Sequence, residues 1–464
     1  MPRPLLPLVL LLTLSGCINL APDYQTPVAP VPAQWPAAQA TSGNAAADIG
    51  WEAFFTDARL RDTLKLALGN NRDLRVAALD IEKARAQYRI TQADLFPSVS
   101  ASASGTRARS TSSYSSGSSA SSVNNSYSVD LGFSSYEIDV FGRLNNLKDA
   151  ALESYLSTEE TRRSTQISLV AEVASAWLTL AADRQLLALA EQTYASQQKT
   201  YALVERSHGL GGSSGLELAQ ARSTVESARA DVANYQSEVE QAINALNLLA
   251  GAAVPGALLP GAQDSDAALL VQVPAGLPSS LLQRRPDVLA AEHTLKAANA
   301  DIGAARAAFF PSLTLTAATG TASSELSGLF GGGSRTWSFA PSLNLPIFNA
   351  GSNRASLTAA QVEKQIEVAE YESTLQTAFS EVADALAVRS HIDERLNAQQ
   401  AYTDATRRSF DLAQALYQQG SDSFLEVLDA QRSLYTAQQT LITLKLSEQN
   451  NRVTLYKVLG GGWG

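Results

Sequence analysis

Residues 337–347 read WSFAPSLNLPI, and this stretch decides the class of fold. Its apolar residues stand at every second position, with mostly small or polar residues between them: Trp337, Phe339, Pro341, Leu343, Leu345 and Ile347. Strict alternation predicts a β-strand with one apolar and one polar face. Over about ten residues it is typical of a strand that crosses an outer membrane. A half-buried strand of a soluble sheet has the same period, so the pattern alone leaves both structures open.

Three further segments carry related patterns. Leu313 and Leu315 begin an alternation after Pro311. The segment 127–133 alternates as well, and its phase slips near Ser134–Ser135, as a β-bulge would produce. The segment 99–103 is weaker, because it consists mostly of small residues. The chain is therefore predicted to contribute four strands.

Four strands per chain set a condition on the assembly. A sheet in lipid must close, because an open edge leaves backbone groups without hydrogen-bond partners. About eight strands are the practical minimum for a barrel, so spanning strands require several chains to share one barrel. Two Ser/Gly-rich stretches, 110–126 and 322–335, separate the strands of each pair and are expected to be exposed loops.

Between the strand pairs, the chain predicts very long helices. From Leu144 to Arg206 there is no proline and no glycine, and roughly sixty residues at about 1.5 Å each make on the order of 90 Å of helix. The next segment has apolar or small residues in alternating steps of four and three: Ala221, Val225, Ala228, Val232, Tyr235, Val239, Ala242, Leu246 and Leu249. This period of 3.5 predicts a left-handed coiled coil, although a plain helical bundle differs little in sequence.

The two halves of the chain resemble each other. The junctions Leu95-Phe96-Pro97-Ser98 and Phe309-Phe310-Pro311-Ser312 match, as do Leu216 with Leu425 and Gly251 with Gly460. We therefore predict two copies of one unit, each reading helix, strand, loop, strand, long helix, tip, long helix. We place the first copy at 51–260 and the second at 261–464, which ends in a C-terminal equatorial segment.

The N-terminus indicates the compartment. Arg3 precedes an apolar stretch, 5–14, that is too short to span a bilayer. It ends in LSGC at 14–17, which resembles the lipobox of bacterial lipoproteins and implies a signal peptide over 1–16 and an acyl anchor such as palmitate on Cys17; the alternative is an ordinary secretory signal. The Pro-rich residues that follow predict an extended tether within a lipidated segment, 17–50. Because Cys17 is the only cysteine, the mature chain has no disulfide.

Composition excludes two classes of function. The net charge of −10 argues against a nucleic-acid binder, which would show a clustered basic face. The three histidines, His208, His293 and His391, lie far apart and without ligand spacing, so we expect no metal site. No cofactor is expected beyond the covalent lipid on Cys17.

One motif resembles that of an enzyme. Residues 211–215 read GGSSG, which fits the G-x-S-x-G pattern of serine hydrolases. That pattern requires a strand before the serine, whereas a long predicted helix precedes Ser213. We therefore expect no catalytic residue and no enzymatic activity.

Taken whole, the chain resembles the outer-membrane factors of the TolC superfamily. The likeness is carried by the lipobox, the duplicated Phe-Pro-Ser strands, Phe141-Gly142-Arg143 and the LDAQR stretch at 428–432. It is strongest to the OprM-like lipoproteins of tripartite drug-efflux pumps of the resistance-nodulation-division (RND) type. The resemblance implies an α+β membrane protein: a trimeric 12-stranded β-barrel, with four strands per chain, continued by a long α-helical coiled-coil barrel.

The resemblance also implies sites at two helix–helix tips, 207–216 and 418–425. The residues expected to contact a periplasmic membrane-fusion adaptor are Gly209, Leu210, Gly211, Ser213, Gly420 and Ser421. In the family, positions matching Leu425 and Asp429 line a periplasmic gate, and the one matching Arg432 helps to hold it shut. From the residues alone, Asp429 and Arg432 are equally well an ordinary i,i+3 ion pair on a solvated face.

The expected function is a gated, passive exit duct. It would be a homotrimer in the outer membrane, extending into the periplasm, and would serve an inner-membrane RND transporter through the adaptor. Drugs and other small toxic compounds would pass from the periplasm to the exterior. The alternatives are a duct for type I protein secretion or metal-ion efflux, or a coiled-coil envelope lipoprotein without a barrel.

Overall fold

The computed structural model describes residues 18–35, 46–113, 119–262 and 279–462. The signal peptide and Cys17 lie outside these ranges. The helices are α1 (Trp51–Phe54), α2 (Ala58–Asn70), α3 (Arg72–Ala93), α4 (Arg143–Gly209), α5 (Gly215–Ala250), α6 (Pro286–Ala307), α7 (Ser352–Gln418) and α8 (Phe424–Val458). The strands are β1 (Ser100–Ser113), β2 (Ser119–Ile138), β3 (Ser312–Ser323) and β4 (Arg335–Asn344). The order helix, strand, strand, long helix, long helix occurs twice.

The four strands form one antiparallel sheet in the order β1-β2-β3-β4. The predicted bulge is confirmed: the register of β2 against β3 shifts between Phe133 and Tyr136, and Ser135 has a φ of 56°. The extra residue brings Phe133 and Tyr136 onto the same face, because each pairs with an odd-numbered residue of β3.

Two strand ends differ from the prediction. β1 and β2 extend through most of the Ser-rich stretch 110–126, and cross-strand pairs such as Ser110 with Ser122 support them. The prediction of a loop there is wrong in part, because short hydroxyl side chains pair well across strands without any apolar alternation. β4 ends at Asn344, before Leu345, because Pro346 cannot donate a ladder hydrogen bond.

The helices repeat in length as well as in order. Both α4 and α7 have 67 residues, and α5 and α8 have 36 and 35. An apolar window of α4 reaches a mean hydropathy of 1.2, but 61% of it is buried, as expected for a core helix. The matched glycines Gly251 and Gly460 both follow a long helix with positive φ, at 66° and 83°, the left-handed conformation in which helices commonly end.

The chain forms two compact units, and each contains residues of both halves. The first consists of Met1–Pro27, Ile81–Thr158 and Ala291–Tyr371, and contains the sheet. The second consists of Val28–Asp80, Glu159–Ala290 and Glu372–Gly464. Its core includes Tyr456, which stacks on Phe54 and donates a hydrogen bond to the carbonyl of Ile49 at 2.6 Å, and Trp177, which donates to the carbonyl of Leu258 at 3.0 Å.

The segment after Cys17 is extended, as predicted, and it is also held in place within the first unit. The backbone N–H of Ile18 contacts the carbonyl of Val140 at 3.4 Å. Two side chains of α6, Asn299 and Arg306, donate to the carbonyls of Pro22 and Leu20 at 2.8 and 3.0 Å. The segment is therefore bound along a helix rather than free, which its proline content alone did not indicate.

Candidate gate at the two helical tips

The two tips have the same backbone. In the first tip, the backbone N–H groups of Gly211 and Gly212 donate to the carbonyls of His208 and Ser207. In the second tip, the N–H groups of Gly420 and Ser421 donate to the carbonyls of Tyr417 and Leu416. Each pair of bonds, i to i−3 and i to i−5, closes a helix end in the Schellman geometry. Gly211 and Gly420 supply the required positive φ, 78° and 73°.

The helix after each tip begins on a serine. Ser214 accepts from the N–H of Glu217, and the Glu217 carboxylate accepts from the N–H of Ser214, which makes a complete capping box. Ser423 accepts from the N–H of Glu426 at 3.4 Å. The predicted turns between long helices are therefore present, with short tips at 210–214 and 419–423.

The GGSSG motif lies within this turn. The Ser213 hydroxyl donates to the hydroxyl of Ser207 at 2.8 Å, and His208 Nδ1 contacts the carbonyl oxygen of Ser213, not its hydroxyl. The 67-residue helix α4 precedes the motif, so the strand-to-helix elbow of a hydrolase is not the geometry found here.

One apolar cluster joins the two tips. Phe424 and Leu428 of α8 pack with Val204 of α4 and Ala221 of α5, and all four are buried. The ring of Tyr417 lies 5.5 Å from that of Phe424. Burial, followed by a smaller effect of the Glu217 carboxylate, raises the pKa of the Tyr417 hydroxyl. The tips therefore form one packed body, in which α8 supplies two of the four buried side chains.

The three predicted gate residues lie on a different side of α8 from this cluster. Leu425 is 55% exposed, and Asp429 and Arg432 are exposed. Their spacing of four and three residues places them on one face of the helix. In the described part of the chain, Asp429 and Arg432 form no ion pair with each other. The ordinary i,i+3 pair is therefore not formed within a protomer.

Asp429 lines a groove of about 390 Å³ between α7 and α8. Two further carboxylates, Asp422 and Glu426, line the same groove, and Tyr402 stands on its α7 side. Glu426 and Asp429 lie three residues apart on one face of α8, whereas Asp422 lies in the turn before the helix. Only the folded tip brings the third carboxylate to the groove, and no sequence pattern predicted Asp422 or Glu426 there. Among the described residues, no three His, Cys, Asp or Glu side chains converge to hold a metal ion.

The residues predicted to contact an adaptor are mostly accessible. Gly209, Gly211, Gly420 and Ser421 are exposed, Leu210 is 85% exposed, and Ser213 is half-buried through its bond to Ser207. An exposed leucine at the end of a turn has no packing role within the chain, which is consistent with a contact surface.

The chain matches known proteins over nearly its whole length. The family model "Outer membrane efflux protein" matches residues 63–252 and 277–461. The toluene efflux pump outer membrane protein TtgC of Pseudomonas putida is 51% identical over 97% of this chain and 93% of the relative. The cation efflux system protein CusC of Escherichia coli is 46% identical over 100% of this chain and 99% of the relative. The open-state outer membrane channel MtrE of Neisseria gonorrhoeae superposes with a TM-score of 0.86 at 38% identity, over 96% of this chain and 98% of that one.

These matches decide between the structures that the strand pattern left open. The structural neighbours are trimeric channels with four strands per chain, so the alternating strands belong to a shared 12-stranded β-barrel and the helices to a helical barrel. A soluble sheet and a coiled-coil lipoprotein without a barrel are excluded. The chain belongs to the outer membrane efflux protein family of the TolC superfamily, and is an outer-membrane exit duct of an efflux pump.

Proposed function

We propose that the duct exports small organic compounds and opens at the joined tips, without catalysing any reaction. The observation that carries this proposal is the separation of roles on α8: Phe424 and Leu428 hold the tips together, while Leu425 and Asp429 are left exposed beside an acidic groove. Relatives named for toluene and antibiotic efflux support the class of cargo.

Three-fold symmetry explains why the exposed face suits a gate. A closed assembly places equivalent residues of three protomers around one axis, so Leu425 would form an apolar ring and Asp429 a ring of carboxylates. Like charges at short range oppose closure unless cations compensate them. Arg432 forms no ion pair with Asp429 of its own chain. We therefore assign the Arg432 guanidinium to the Asp429 carboxylate of a neighbouring protomer.

The test is the double substitution Leu425→Ala with Arg432→Ala. We expect higher single-channel conductance in planar bilayers than for either single variant, and greater entry of vancomycin into cells. Arg407→Ala with Leu248→Ala, two exposed positions that do not line the groove, provides a matched control. Wild-type conductance and permeability in the gate variant would show that these residues are not the gate.

We propose that the residues Gly209, Leu210, Gly211, Ser213, Gly420 and Ser421 receive a periplasmic membrane-fusion adaptor, which links the duct to an inner-membrane RND transporter. Leu210→Cys offers a unique thiol at this surface once Cys17 is acylated. Crosslinking in intact envelopes should capture a periplasmic protein, and the same cysteine at the exposed Ala398 of α7, away from the tips, should not. Equal capture at both positions would count against a tip-specific contact.

We propose that Cys17 carries the acyl anchor of an outer-membrane lipoprotein. Radioactive palmitate should label the wild type and fail to label Cys17→Ser. The trimer should still assemble in that variant, because its stability rests on the shared barrel. Persistent label would contradict the anchor without affecting the duct.

Cation export is the second candidate, since CusC is named a cation efflux protein. Deletion of this chain distinguishes the two cargoes. Under the first proposal, sensitivity to toluene and hydrophobic antibiotics rises while tolerance of metal cations stays unchanged; the reverse pattern assigns the duct to cations.

A further inference from the structure

The outward face of the sheet follows from the strand register. Residues paired across antiparallel strands point to the same face, so Leu131 lies with Thr319 and Trp337, and Val129 lies with Thr321 and Arg335. This face contains the large apolar residues of β2, β3 and β4. The opposite face is lined by small and polar residues, as expected for the lumen of a barrel.

Charge is divided between these two faces. The acidic residues of the described strands, Asp130 and Glu137, lie on the lumen face, since they pair with Gly320 and Thr314. The basic residues, Arg107, Arg109 and Arg335, all lie on the outward face, which carries no acidic residue in the described strands. All three are exposed, and none has an ion-pair partner in the described part of the chain.

Along the β1–β2 pair, the outward face changes in a fixed order from the helix end to the loop end. Leu131 and Val129 come first, then Tyr127, and beyond it Arg107 and Arg109. The Tyr127 ring packs over Gly105, where an added Cβ atom would lie 3.2 Å from the ring. Beyond the aromatic residue, the outward face carries the two arginines, with Asn125 and Val123 opposite them on β2.

The other edge strand repeats this order independently. Along β4 the outward residues are Leu343, Phe339, Trp337 and then Arg335, again toward the loop end. Trp337 is 79% exposed. Aromatic residues mark the interface of a bilayer, and a charge on the lipid face is costly at the midplane but tolerated near the interface. On each edge strand, the arginines therefore lie on the loop side of the aromatic residue, where the barrel leaves the hydrocarbon layer for the headgroups.

The barrel closes by joining edge strands of neighbouring protomers. β1 and β4 are the two edges of the sheet within one chain, so in a closed trimer the β1 edge of one copy adjoins the β4 edge of the next. Arg107 and Arg109 are two residues apart, about 7 Å along the strand. Each guanidinium can therefore bind a separate phosphate group in a bidentate manner.

We infer that Arg107, Arg109 and Arg335 form a site on the outward face of the barrel, at each seam between protomers, that binds the phosphate groups of a phosphorylated glycolipid in the outer leaflet. The inference rests on the barrel crossing the outer membrane and not on the proposed gate or cargo. The ligand class follows from charge: three guanidinium groups without acidic partners face a region where a membrane presents its headgroups.

The experiment uses the full-length trimer in phosphatidylcholine nanodiscs, with bisphosphorylated lipid A as the probe and native mass spectrometry as the readout. The wild type should retain lipid A in preference to phosphatidylcholine. The triple variant carries Arg107→Gln, Arg109→Gln and Arg335→Gln. Each arginine near a membrane surface contributes about fivefold to binding, so the triple variant should retain lipid A on the order of a hundredfold more weakly. Dephosphorylated lipid A should bind the wild type as weakly as phosphatidylcholine does.

Two matched variants separate the site from net charge. Arg75→Gln, Arg407→Gln and Arg408→Gln remove the same charge from exposed helical positions and should retain lipid A like the wild type. Arg107→Gln with Ala108→Arg moves one charge to the lumen face and should bind about fivefold more weakly. Wild-type retention in the triple strand variant, or equal retention of lipid A with and without phosphates, would overturn the inference. The comparison of lipid A with and without phosphates uses only the wild-type trimer. It therefore still tests the inference if the triple strand variant fails to assemble.

Discussion

The first helical hairpin, α4–α5, and the second, α7–α8, are related residue by residue, and their differences show where function was added to a shared backbone. Phe424 and Leu428 of the second hairpin correspond to Gly215 and Ala219 of the first, and Asp422 and Asp429 correspond to Ser213 and Gln220. The turn geometry is common to both. The anchoring side chains and most of the groove acids occur only in the second hairpin, so a duplicated scaffold carries one specialised tip.

The largest effect is expected where the hairpins depend on each other. Phe424→Ala removes a ring that is 1% exposed from the cluster joining both tips, and should cost about 3–5 kcal/mol of local stability. We expect protease cleavage at the tips and raised conductance in planar bilayers. Leu216→Ala, at a residue that is 68% exposed in the first hairpin, should leave both unchanged. Tips that stay closed and resistant in Phe424→Ala would mean that the cluster does not hold them.

The second prediction exchanges the charge that distinguishes the hairpins. Asp429→Gln should lower the preference for cations by about twofold to threefold, because a groove lined by acids concentrates cations, while Asp422 and Glu426 remain. The measurement is the reversal potential in a salt gradient. Adding Gln220→Asp restores net charge on the first hairpin and should not restore selectivity. Recovery in this exchanged variant would make the two tips equivalent.

The third prediction concerns what the hairpins share. Gly211→Ala and Gly420→Ala should each cost about 1–2 kcal/mol locally, because a side chain is strained at positive φ while nothing else lies within 4 Å of either position. Amide hydrogen exchange at the tips measures this. Gly209→Ala, which is not at positive φ, should be neutral or slightly stabilising. Unequal costs at 211 and 420 would contradict a common turn.

The smallest effect is expected in the middle of the first hairpin. Burial, and secondarily Glu238, raises the pKa of Asp183 to about 6, whereas the equivalent residue of the second hairpin is the buried Ile392. A raised pKa means that the folded state holds the proton more tightly than the unfolded chain does. Ionised Asp183 therefore lowers the free energy of unfolding. This destabilisation is absent below about pH 4, grows from about pH 4 to 6, and is complete above about pH 6.

Asp183→Asn should accordingly stabilise the protein at pH 7.5, by about 1 kcal/mol after allowance for solvent screening. It should also flatten the pH dependence of the thermal unfolding midpoint between pH 4 and 6. Asp411→Asn on α7, at an exposed carboxylate, is the control. A variant that is less stable than the wild type at pH 7.5 would show that the ionised carboxylate is stabilising.

Features that depend on near neighbours in the chain were predictable. The phase slip at Ser134–Ser135 and the uninterrupted α4 follow from side-chain periodicity. The turns at Gly211 and Gly420 follow from the few residues that tolerate positive φ. The extent of β1 was not predictable, because residues 104–113 have no apolar contrast and only pairing with β2 makes them a strand.

By itself, the sequence determined the four strands, the paired long helices, the two glycine tips and the position of Asp429 on a helical face. All of these rest on local period and backbone preference. Only the tertiary structure decided that Phe424 and Leu428 join both tips, that Asp422 and Glu426 share a groove with Asp429, and that Arg107, Arg109 and Arg335 share the outward face. Such groupings bring together residues far apart in the chain, and packing and strand register, which no local pattern encodes, select them.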